Sequence, residues 1–339
     1  MTATKKKFKF TYNFVLLAIC IVLFMIFGRI NRNFFTISYI LDMIKLNAEI
    51  AIMALPLTLL IIMGCIDFSL CTVLSLSAAA GGIIATFAGP VVGLAVSLLV
   101  GIACGALNGF MVSILKLPPL ITTLATMYLY RGIAKGITLA SGWGTNVATT
   151  SIATFFGSRN ILFLPTQLWV IIILSLVLHV VLSRTVYGRT LYAIGLNENA
   201  TRFAGINVVR IKFLTYVLAG AIFAVAGLVL MGRFSTMQYD SADSFQMQVI
   251  IVCVLGGANM SGGRGTIGGT LLGVATLSIL KGGMNAVALP QTQQKIILGI
   301  VLLVSLITFQ LLAEHDLKVK GRQRIQAAAL EHAAKQAQK

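Results

Sequence analysis

Of 339 residues, 58% are hydrophobic and 10% charged, and the formal net charge is +17 at pH 7. Soluble domains average about 45–50% apolar and about 25% charged residues, so this composition excludes a large soluble globule. The basic surplus does not point to nucleic acid, because it borders apolar runs. Lys5, Lys6, Lys7 and Lys9 precede the first run; Arg184, Arg189, Arg202, Arg210 and Lys212 crowd one internal loop; Lys318, Lys320, Arg322, Arg324, Lys335 and Lys339 follow the last. Cationic clusters beside membrane spans mark cytoplasmic loops.

Residues 1–11 read as a basic cytoplasmic tail, 12–312 as a transmembrane domain and 313–339 as a polar, alanine-rich cytoplasmic tail. The first apolar run continues into Gly28 and Arg29 without a small-residue cleavage pattern, so a retained signal-anchor is expected. Apolar runs near 12–30, 48–66, 68–88, 91–111, 118–139, 161–182, 212–231, 245–259, 264–284 and 293–312 are candidate spans. Runs of about 20 apolar residues match the hydrocarbon thickness, and unbroken runs choose helices over a barrel. The expected fold is an all-α integral membrane protein, a polytopic helical bundle of about eight to ten transmembrane helices. The run at 245–259 is short, and two others meet at polar Asp67–Ser69, so either is a candidate broken or re-entrant helix. With both termini cytoplasmic, the loops 112–117, 183–211 and 260–263 face inward and the segment 140–160 faces outward.

The IDFSL stretch at 66–70 puts Asp67 near the end of a span. It suits a helix cap, a structural contact, or a proton or substrate ligand; Glu49 and Asp42 read as ordinary interfacial residues. Small residues recur four apart at Gly101, Gly105 and Gly109, at Gly132 and Gly136, and at Gly265, Gly269 and Gly273. That spacing makes a smooth helix face for close packing or for sliding. In 187–207, YGRTLYAIGLNENATRFAGIN, Asn197 suits an N-cap, Glu198 the positive end of a helix and Gly205 its termination. A short helix outside the bilayer follows, either merely solvated or docking a cytoplasmic partner.

The stretch 254–273, VLGGANMSGGRGTIGGTLLG, is a glycine-dense turn between apolar runs. It is not a phosphate loop, which needs GxxxxGK[ST]; here Gly262 is followed by Gly263 and Arg264, so the chain is expected to hydrolyse no nucleotide itself. The five cysteines, Cys20, Cys65, Cys71, Cys104 and Cys253, lack metal or redox spacing, and the three histidines are scattered. No catalytic residue, metal or cofactor is expected, and a membrane enzyme is disfavoured.

In family order, IDFSL, LNGFMVSILKLPPLITTLATMYLYRGIA at 107–134, GLNENATRFAGI and VLGGANMSGGRGTIGGTLLG resemble the permease subunit of bacterial ATP-binding-cassette importers for simple sugars, the ribose, galactose, xylose, rhamnose and autoinducer-2 branch. ALPLTLLI at 54–61 and LGGANMSGG at 255–263 lie nearer the rhamnose and autoinducer-2 members. The chain departs from the pattern at Cys65, Leu70, Cys71, Gln246 and Met247. The resemblance implies a second permease chain, identical or related, a pair of cytoplasmic ATP-binding subunits, an extracytoplasmic substrate-binding protein and a small-molecule substrate, within the lipid of the bacterial inner membrane. It implies that Asn197, Glu198, Ala200, Arg202 and Gly205 form the ATPase-coupling loop. Asp67, Asn108, Gly256, Gly257, Gly262, Gly263, Gly269 and Gly273 are pathway or helix-packing candidates. The competing expectation is an ion-coupled secondary transporter, for which Asp67 is the acidic candidate.

Overall fold

The computed structural model describes residues 4–140, 145–146, 155–157, 159–234, 236–301, 303, 304 and 307, and the side chains of 4–12 and of residues 15, 145, 146, 236 and 237 are not described. The tail 313–339, most of the predicted outer segment 140–160 and the end of the predicted tenth span lie outside the described residues. Residues up to 290 form one compact unit; the unit from 291 onward contains a helix over 291–301.

The helices are α1 (Thr4–Ile30), α2 (Ile37–Leu46), α3 (Ala48–Ile62), α4 (Leu70–Ala88), α5 (Pro90–Gly109), α6 (Pro119–Ala140), α7 (Thr166–Arg184), α8 (Val186–Leu196), α9 (Glu198–Phe203), α10 (Val208–Arg233), α11 (Gln246–Leu255) and α12 (Ile267–Ala286). Sheet is confined, among the described residues, to two antiparallel pairs: β1 (Thr145–Asn146) with β4 (Thr236–Met237), and β2 (Asn160–Ile161) with β3 (Leu164–Pro165). Among the described residues five helices, α4, α5 with its continuation to Ile114, α7, α10 and α12, are long and apolar enough to cross a membrane. The pair α2–α3, bent by 54°, is together long and apolar enough for a broken span or a re-entrant loop. Shorter apolar helices run over Leu16–Ile30 and Asp243–Leu255. α6 has 22 residues, but its Thr, Arg and Lys dilute the apolar surface. A helix lies within each of the ten predicted runs.

α3 is the central element. All fifteen of its residues are buried, as expected for a helix apolar on every side, and it packs against α7, α10, α11 and α12. At about 1.5 Å per residue it is too short to cross alone, and α2 supplies the missing length. Asn47 makes the bend with a non-helical φ of −120°, its side chain donating to the Met43 carbonyl at 2.8 Å. The sequence reading placed no helix over 37–46; Ser38, Asp42 and Lys45 broke the apolar run there.

α5 packs against α10 through its small residues. A Cβ added to Gly101 or Gly105 would stand under 3.0 Å from the carbonyl oxygen of Gly220 or Tyr216, the close approach that four-residue glycine spacing permits. The other two sets differ. Gly132 and Gly136 have nothing within 4 Å of an added Cβ among the described residues. Gly265 lies before α12, at φ +154°, while Gly269 and Gly273 face the Gly256 and Val252 backbone from inside the helix.

Candidate functional site

The internal basic loop folds into two helices where the sequence reading expected one. Thr185 caps α8, its hydroxyl accepting from the Gly188 amide at 3.2 Å. Asn197 breaks the helix and caps α9, accepting from the Ala200 amide at 2.9 Å. Glu198, in the first turn of α9, receives Arg202 at 3.1 Å and Lys212 of α10 at 2.6 Å. These pairs join α9 to the start of α10 across the Gly205 turn, whose φ of +81° suits glycine. Outside the apolar helices, Leu196 is 73% exposed and Phe203 91% exposed. Beside them a recess of about 250 Å³ is lined by Lys116, Pro118, Pro119, Glu198, Arg202 and Lys212, among others. The 115–118 turn that forms its far wall carries Lys116 at φ +57°.

α8, with Gly188, Thr190, Leu191 and Ile194 buried, ties the exposed α9 inward. Tyr192 of α8 donates to the Gly265 carbonyl at 2.6 Å, and burial pushes its phenol up to about 12. Gly195 meets the end of α3 and the glycine turn: a Cβ there would stand under 3.0 Å from the Ile62 carbonyl oxygen and the Gly263 amide. The Gly263 amide itself donates to the Ile62 carbonyl at 2.8 Å. Gly257, Gly262 and Gly263 take φ of +85°, +86° and +74°, and Asn259 closes the turn by accepting from the Gly262 amide at 2.8 Å and donating to the Arg264 carbonyl at 3.0 Å. Three chain segments, 192–195, 62–64 and 256–265, therefore share one junction, with backbone meeting backbone at Gly195, Gly262 and Gly263. Glycine is required here for close approach and for turn geometry together.

Asp67 and Asn108 sit together beside this junction. Asp67 accepts at 2.7 Å from both the amide and the hydroxyl of Ser69 at the start of α4. Asn108 donates to the Ser69 hydroxyl at 2.8 Å and reaches the second Asp67 oxygen at 3.5 Å. The Tyr130 hydroxyl of α6 lies 3.0 Å from the Asn108 Oδ1 and 2.9 Å from the Cys104 carbonyl oxygen, its one proton shared between them. The network is buried and ties the 63–69 break to α4, α5 and α6. Gly256 and Gly269 form the backbone contact between α11 and α12, next to a Thr58–Thr270 hydrogen bond of 2.7 Å.

One charged cluster escaped the sequence reading. Glu49, read there as interfacial, is 0% exposed and pairs with Arg233 Nε at 3.3 Å. The Arg233 guanidinium also donates to the Leu46 carbonyl at 2.9 Å and lies over the rings of Phe234 and Phe245. Lys281 follows nearby, donating to Gln248 at 2.9 Å. Glu49 and Arg233 are far apart in sequence and nothing local signals their pairing. Among the described residues, no group of three or more His, Cys, Asp or Glu side chains could hold a metal ion.

This arrangement of apolar helices long enough to cross a membrane, with almost no sheet among the described residues, is that of a polytopic helical membrane protein. Residues 39–306 match the family model described as branched-chain amino acid transport system / permease component, and the chain belongs to this family of ATP-binding-cassette permease subunits. It is 34% identical over 291 residues to the ribose import permease protein RbsC of Escherichia coli (strain K12), covering 85% of this chain and 90% of that protein. The Bacillus subtilis (strain 168) RbsC is 34% identical over 290 residues, covering 84% and 89%. The autoinducer 2 import system permease protein LsrD of Photorhabdus luminescens is 31% identical over 303 residues, covering 88% and 91%. No solved structure matches.

Proposed function

We propose that this permease imports a monosaccharide or sugar-like small molecule, ribose or an autoinducer-2-like compound being the cargo classes of its named relatives. ATP hydrolysed on separate subunits supplies the work. The observation that carries this reading is the exposed surface of Leu196 at the end of α8 and Phe203 of α9, joined through Tyr192 and Gly195 to the end of α3 and the glycine turn. An ATP-binding subunit seated against α9 would move α8 with it, and α8 touches the backbone of the central helix. In this reading 183–211 is cytoplasmic, both termini lie on that side, a second permease chain completes the pathway and an extracytoplasmic protein delivers substrate.

An ion-coupled carrier would need an acid open to a pathway, whereas both Asp67 oxygens are engaged by Ser69 and Asn108. Reconstituted into liposomes with its ATP-binding and substrate-binding partners, the chain should take up sugar only with ATP inside the compartment holding the ATPase. Uptake by the chain alone under an ion gradient would overturn the proposal.

A further inference from the structure

Opposite the α9 end, the segment after α10 folds back over the second half of α6. α10 has 26 residues, so its two ends stand about 39 Å apart at 1.5 Å per residue. Between α6 and the returning segment lies an open recess of about 400 Å³, lined by Tyr128, Arg131, Gly132, Lys135, Tyr239 and Asp240. It is separate from the Asp67 network and from the α9 surface.

Its walls are set by contacts within the chain. Arg131 forms an ion pair with Asp243. Lys135 Nζ stands 5.5 Å from the centre of the Tyr239 ring. The turn bearing Tyr239 and Asp240 is closed by its own hydrogen bonds, from the Gln238 amide to the Ser241 hydroxyl at 3.0 Å and from the Asp243 amide to the Asp240 carbonyl at 3.1 Å. Gly132 leaves the floor open, with nothing within 4 Å of an added Cβ.

The lining selects among ligand classes. Arg131 is paired with Asp243 behind the lining and Lys135 shares the recess with Asp240, so these four side chains carry no net formal charge to attract an anion. Among the described residues its lining holds no Leu, Ile, Val or Met side chain, so a branched aliphatic group finds few apolar contacts there. It does offer two aromatic rings, one of them 68% exposed at Tyr128, and a ring of donors and acceptors. Ring faces cover the C–H faces of a sugar, while guanidinium and carboxylate groups bind neighbouring hydroxyls in pairs.

We infer that this recess is a binding station for a neutral polyhydroxylated ligand at the outer mouth of the permease, with Tyr128 and Tyr239 as the ring platforms and Arg131, Lys135 and Asp240 as the hydroxyl partners. The inference rests on the sugar-import reading above and adds a place to it. It also requires the α6 end to face outward.

Gly132→Cys places a thiol in the recess without a clash, and the five native cysteines are all buried. In intact cells producing the chain with its ATP-binding and substrate-binding partners, a membrane-impermeant maleimide should label this variant. At least one of D-ribose, D-xylose and L-rhamnose, at about 10 mM, should slow labelling about threefold or more by occupancy, and L-leucine should not. Tyr128→Ala should raise the KM for the protecting sugar by about 3- to 10-fold with little change in maximal rate, and Tyr128→Phe should restore it. No labelling from outside, protection by leucine alone, or no protection by any sugar would overturn the inference. Uptake by the unsubstituted transporter separates the two failures. If it imports one of these sugars while protection fails, the station is wrong and the function stands; if it imports leucine and no sugar, both fall.

Discussion

Arg233→Ala removes the cation paired with Glu49. Because Glu49 is 0% exposed, its carboxylate cannot recover the lost contact from water. Breaking a buried pair by deleting one partner costs about 3–5 kcal/mol, and here the same guanidinium also holds the Leu46 carbonyl at the α2–α3 bend. Glu49→Gln should cost less, about 1–3 kcal/mol, since Arg233 is 21% exposed and can rehydrate. Replacing both, as Glu49→Leu with Arg233→Met, leaves no uncompensated charge and should return to within about 1 kcal/mol of the parent. Unfolding in mixed micelles by increasing dodecyl sulfate, followed by circular dichroism, reads the order Arg233→Ala worst, Glu49→Gln intermediate and the double variant nearest the parent. The reasoning fails if Arg233→Ala unfolds with the parent, or if the double variant is as unstable as Arg233→Ala.

Glu198→Arg puts a third cation beside Arg202 and Lys212; co-purification should show weakened ATP-binding subunit association with unchanged membrane insertion. Gly105→Val should separate α5 from α10 and lower the yield of monodisperse protein, whereas Gly136→Ala, with open space around it, should keep or raise thermal stability by about 0.5–1 kcal/mol. Asn108→Ala takes from a buried site the donor to the Ser69 hydroxyl and the second Asp67 oxygen, a loss of about 1–3 kcal/mol in the same micelle titration. Tyr192→Phe removes the hydrogen bond to Gly265, and should lower uptake per ATP hydrolysed while leaving ATPase association intact.

The apolar runs disclosed nearly every long helix because lipid leaves an unpaired backbone no alternative to helix. The Asn197 cap and the Gly205 turn were legible for the same local reason: capping chemistry depends on a few neighbouring residues. What spacing alone could not convey was what a helix face meets. Gly101 and Gly105 share their four-residue spacing with Gly132 and Gly136, yet the first pair packs against α10 and the second borders open space. Glu49 looked interfacial because its helix begins there; its burial follows from α10, α11 and α12 closing around α3. The recess between α6 and Tyr239 was hidden similarly, since its two walls are brought together by the path of α10 and not by any local motif.

Phe203→Cys, on the most exposed part of α9, offers the most direct test that the permease receives its drive from the cytoplasm. A membrane-impermeant thiol reagent should modify it in inside-out vesicles, with ATP-binding subunits shielding it once they are added, and should leave it untouched in intact cells. Modification in intact cells would place α9 on the outer face, where no ATP-binding subunit can reach it.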